Sequence, residues 1–81
     1  MSREVVPEET LIEWMNSRLQ QHEECKDCRI TSVLRLVDKD EDGCNWSSPN
    51  LRCSGVPADV CSPTASHVAA QARELFNLKE A

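Results

Sequence analysis

Leu11, Ile12, Met15 and Leu19 recur at i, i+1, i+4 and i+8, a spacing that gathers apolar side chains on one stripe of an α-helix. The helix is expected to open at Pro7, where the missing N–H costs nothing, with Glu8, Glu9 and Glu13 favouring its positive dipole end. Its end is expected near Glu24, where the charged run Glu23, Glu24, Lys26, Asp27 interrupts the period. Trp14 falls just off the stripe, as a half-buried lid over the core or as an exposed partner contact. Residues 1–6 carry no pattern and read as a flexible tail.

From residue 28 to 37 the period becomes two, with Ile30, Leu34 and Leu36 on one face and Arg29, Thr31 and Arg35 on the other. Ser32 interrupts the apolar face and Val33 and Val37 interrupt the polar one, so partial cover on both sides is the second option. Asp38-Lys39-Asp40-Glu41-Asp42-Gly43 has the composition of a turn. Cys44-Asn45-Trp46 then suits a short returning strand, Ser47-Ser48-Pro49-Asn50 a second turn, and Leu51-Arg52-Cys53 a third short strand.

Residues 56–61 read as a connection, with one helical turn at Pro57-Ala58-Asp59 as an option, and Ser62-Pro63 as N-cap and first residue of a second helix. Val68, Ala69, Ala72, Leu75 and Phe76 form its apolar stripe, and Asn77 is placed as a left-handed residue closing it, with Leu78 folding back on the last turn. The expected class is α+β: an N-terminal helix, an antiparallel sheet of two or three strands, and a C-terminal helix, both helices on one sheet face. With 81 residues, one small domain over 1–81 is expected.

A core this small leaves burial and chain entropy nearly balanced, so metals, disulfides or partners often contribute. That gives weight to the five cysteines. Their odd number, and the lack of a charged start leading into an apolar stretch, speak against a fully paired secreted scaffold and for a reducing cytoplasm. On that basis the sequon Asn45-Trp46-Ser47 reads as a chance match. A formal charge of −5 opposes nucleic acid, and no apolar run is long enough for a membrane span. Two glycines make no phosphate loop, and two histidines with no nucleophile motif give no catalytic arrangement, so no enzyme is expected.

Cys25-Lys26-Asp27-Cys28 is a C-x-x-C pair able to present two thiolates to zinc, with Cys53 and Cys61 as the preferred completing ligands and Cys44, His22 and His67 in reserve. A single such pair without a following glycine fits small buried thiols better than a zinc knuckle. A redox role fits least, because Glu23, Glu24, Asp27 and the end of a helix would disfavour a thiolate there. Asp38, Asp40, Asp42 and Gly43 copy the first half of a calcium loop, but Pro49 stands where the bidentate glutamate belongs, which leaves a solvated acidic turn. Arg29 and Arg35, with Arg52 on a neighbouring strand, make a basic strip for an anionic partner or for the chain's own carboxylates. The leading expectation is a small acidic, non-enzymatic, cytoplasmic module without a cofactor, binding another protein through Trp14, Trp46, Asp38, Asp40 and Asp42. Behind it stand a structural zinc module on Cys25, Cys28, Cys53 and Cys61, and then a thiol redox protein.

Overall fold

The structure, a computed structural model, describes residues 3–39, 41 and 43–79. Helix α1 spans Glu8–Leu19 and buries Leu11, Met15 and Leu19 as their spacing requires. Pro7 stands just outside, in extended conformation, and its carbonyl accepts the first helical bond from the Leu11 N–H at 3.1 Å. The helix ends five residues before Glu24: beyond Leu19 no apolar side chain extends the stripe, and the bonds tighten to i−3. A 3-10 turn over Glu23–Cys25 then carries Cys25 into the core.

Strands β2 (Cys28–Arg35) and β3 (Trp46–Cys53) form an antiparallel ribbon; β1 (Glu4–Val6) and β4 (Phe76–Leu78) are short and make a separate parallel pair. The two short strands expected around residues 44–53 are thus one strand running through Pro49. A two-stranded ribbon has a free edge on each strand, where proline's missing N–H leaves no ladder bond unmade. Register shifts between Ile30 and Ser32 and between Val33 and Arg35 move the side-chain alternation by a residue. Hence Cys28, Ile30 and Val33 are buried, whereas Leu34, expected beside Ile30, is 58% exposed, and Leu36 is half-buried.

Helix α2 covers Ala58–Leu75, with Pro57 outside its start and Pro63 inside it. The expected opening at Ser62-Pro63 is therefore one turn late. The extra turn carries Cys61 into the core, where it is bonded to Cys25, and this cross-link holds the backbone that Pro63 cannot tie to residue 59. Cys61, Ala65, Val68, Ala69 and Ala72 make its buried face, and Leu75 lies half exposed.

Asn77 does not close the helix in left-handed geometry: among the described residues only glycines have positive φ. The chain extends at Phe76 into β4 (Phe76–Leu78), which pairs in parallel with β1 (Glu4–Val6). The leading segment, read as a flexible tail, is thus a strand from Glu4 on, with Val6 buried; Met1 and Ser2 lie outside the described residues. The cause is tertiary. The Asn45 amide donates to Leu78 O and accepts from Leu78 N–H, both at 2.8 Å, and the Lys79 N–H reaches Val6 O at 2.8 Å.

The architecture is α+β. Helix α1 lies on β2, α2 on β3, and the helices touch each other, enclosing a core that includes Trp46, Ile30, Leu78 and Val68. No helix among the described residues is long and apolar enough to cross a membrane.

Candidate functional site

Four cysteines meet in two disulfides, Cys25–Cys61 and Cys28–Cys53. These are the four residues grouped above as zinc ligands, but each sulfur is bonded to another sulfur and is not an available thiolate. No cluster of three or more His, Cys, Asp or Glu side chains is gathered for a metal among the described residues. Nor does the C-x-x-C pair close on itself, as a redox pair at that spacing would. Cys28 meets Cys53 through the strand register, and Cys25 meets Cys61 across the 3-10 turn and α2. Cys44 is buried, and its Sγ lies 3.3 Å from Trp46 O.

The two tryptophans are placed differently. Trp46 is fully buried and donates from Nε1 to Phe76 O at 3.1 Å, so it is a core anchor and not the partner contact expected of it. Trp14 is half-buried, with Phe76 edge-on at 5.4 Å between centroids and the Arg18 guanidinium 4.7 Å from its ring centroid. This is the lid geometry, in which one ring face serves the core and a cation covers what remains. Asp38 is exposed, and Asp40 and Asp42 lie outside the described residues.

The three arginines part company. Arg35 donates to Lys79 O at 3.0 Å and lies 3.8 Å from Glu8, a partly exposed pair of small energetic value. Arg29 and Arg52 are exposed and directly opposite each other in the ribbon. Neither has a carboxylate within ion-pair distance among the described residues. Around them the outer sheet face is polar: the Asn50 amide donates to Ser32 Oγ at 2.6 Å, and Thr31 Oγ1 sits 3.5 Å from Asn50 O. Alternation along the first strand gave Arg29 its face, but the partner at Arg52 follows from a register that no local pattern shows.

The free edge of β2 is covered by side chains of α1. Asn16 accepts from Ile30 N–H at 2.8 Å and donates to Ile30 O at 3.0 Å, and Gln20 Nε2 donates to Cys28 O at 2.8 Å. These amides occupy edge groups that would otherwise invite another strand. Asn45 of the sequon is engaged in the same way: its Nδ2, the atom a glycan would occupy, donates to Leu78 O.

The histidines form no catalytic arrangement among the described residues: His22 and His67 are exposed, and His67 Nε2 lies 3.5 Å from Gln71 Nε2. Comparison with family models, curated proteins and solved structures finds no match.

Proposed function

We propose that this chain is a small non-enzymatic module that binds another protein through a surface held rigid by two disulfides, and that it works in an oxidising environment. The observation that carries the proposal is the pair of bonds Cys25–Cys61, which ties the 3-10 turn ahead of β2 to α2, and Cys28–Cys53, which ties β2 to β3 at one end of the ribbon. Disulfides persist where the redox environment is oxidising, and small domains use them where the core alone is insufficient. This favours an oxidising compartment over the cytoplasm suggested by the odd cysteine number. The outer face of β2 and β3 is covered by neither helix and supplies a surface for recognition, and the reading requires no cofactor.

The test is intact mass spectrometry of protein purified without reductant or chelator, with alkylation before and after unfolding. The expected mass is four hydrogens below the fully reduced chain, with Cys44 the one cysteine alkylated after unfolding. A native mass carrying one zinc, with four more thiols released by acid, would replace this proposal with the zinc module. Binding is then measured by affinity capture from the native host, comparing oxidised protein with reduced and alkylated protein. A partner held equally by both forms removes the need for the folded surface.

A further inference from the structure

The outer face of the ribbon runs against the charge of the chain. The whole sequence carries −5, with fourteen acidic residues. Yet the exposed outward positions of the two strands include Arg29, Thr31, Leu34, Ser48, Asn50 and Arg52, and no acid. Like charges directly opposite in an antiparallel pair weaken it. An acid at either position would have given a stabilising cross-strand pair. Lys26 and Asp27 stand at the foot of β2 and offset each other in formal charge.

We propose that Arg29 and Arg52 receive an acidic segment of a partner protein, one carboxylate to each guanidinium; this rests on the protein-binding function proposed above. Opposed residues in an antiparallel pair have Cα atoms about 5 Å apart, within reach of two neighbouring carboxylates on one peptide. Charge complementarity selects a short segment. Two carboxylates match two arginines, whereas a long polyanion would bring excess charge against a chain of −5. Asn50, Ser32 and Thr31 are engaged with one another, so the guanidinia supply the polar recognition. Leu34, 58% exposed on the same face, lies five residues beyond Arg29, roughly 16 Å at the usual strand rise. The occupant is therefore an extended segment with paired acids at one end and an apolar side chain about five residues away.

The experiment titrates oxidised, isotope-labelled protein with the synthetic peptide Glu-Glu-Ser-Gly-Ser-Leu, followed by amide and arginine side-chain NMR. Saturable shifts centred on Arg29, Arg52 and Leu34 are expected, with affinity at least about ten-fold weaker for the Gln-Gln peptide and for the Arg29→Glu/Arg52→Glu variant. The Arg29→Gln/Arg52→Gln variant is expected to melt at or above the wild-type temperature, since it relieves a like-charge pair. No saturation, equal binding of the Gln-Gln peptide, or shifts centred elsewhere overturns the proposal. So does a lower melting temperature in the glutamine variant, which would make the arginines structural, or tighter binding of a sulfated oligosaccharide or short RNA at the same residues. If mass spectrometry finds the two disulfides and the titration is flat, only this inference fails; missing disulfides defeat the module itself.

Discussion

Asn16 and Asn45 perform the same task at two sites, each offering its amide as a substitute for a neighbouring strand's backbone: Asn16 to both polar groups of Ile30, Asn45 to both of Leu78. Removing one partner of such a pair leaves polar groups short of a hydrogen bond. Asn16→Ala is expected to cost about 1 to 3 kcal/mol in urea unfolding, and a loss below about 0.5 kcal/mol would show that water replaces the amide freely. Asn45→Asp keeps the acceptor for Leu78 N–H but sets a second oxygen against Leu78 O. Faster hydrogen exchange at Leu78 and Lys79, with the core amides unchanged, is the expected signature. Neither role is visible locally, since the partners lie 14 and 33 positions away. Trp46 teaches the same lesson: expected in the partner contact, it is turned inward by the register of β3.

The elements were legible where periodicity was sustained and misplaced where it was interrupted. Leu11, Met15 and Leu19 define α1, and Val68, Ala69 and Ala72 define the centre of α2, because a 3.6-residue repeat is a property of the local chain. The ends were another matter. Pro63 reads as a helix start by its usual preference, but it lies in the second turn of α2. Proline in a helix interior is disfavoured by about 3 kcal/mol relative to alanine. Because Pro63 is exposed, Pro63→Ala is expected to raise stability by about 1 to 3 kcal/mol in thermal unfolding. A lowered midpoint would mean that the proline rigidifies the unfolded chain more than it strains the folded one. Phe76 continues the helical stripe in sequence but leaves it in space, since Trp14 and Trp46 engage it in extended form, and Asn45 binds Leu78 in the strand that follows.

At the scale of the molecule, the Cys28–Cys53 ring lies inside the Cys25–Cys61 ring, with sequence separations of 25 and 36. By loop length each bond alone contributes about 3 to 4 kcal/mol; together they give less than the sum of the two, because the inner bond shortens the path the outer one closes. Replacing Cys28 and Cys53 together with alanine, or Cys25 and Cys61 together, is expected to lower the midpoint clearly. Full reduction is expected to lower it furthest, as read by circular dichroism with and without reductant. An unchanged midpoint on reduction would show that the core holds without its cross-links. The sequence by itself determined two amphipathic helices flanking a strand region, and a length that limits the core, because periodicity and size are readable along the chain. Tertiary structure alone decided which cysteine bonds which and which stays free, since five cysteines allow fifteen ways of forming two disulfides. Cys53 reaches Cys28 only through the register of β2 and β3, and Cys61 reaches Cys25 only through the turn of α2 ahead of Pro63. The same register sets Arg52 opposite Arg29, a juxtaposition that depends on pairing between residues far apart in the chain.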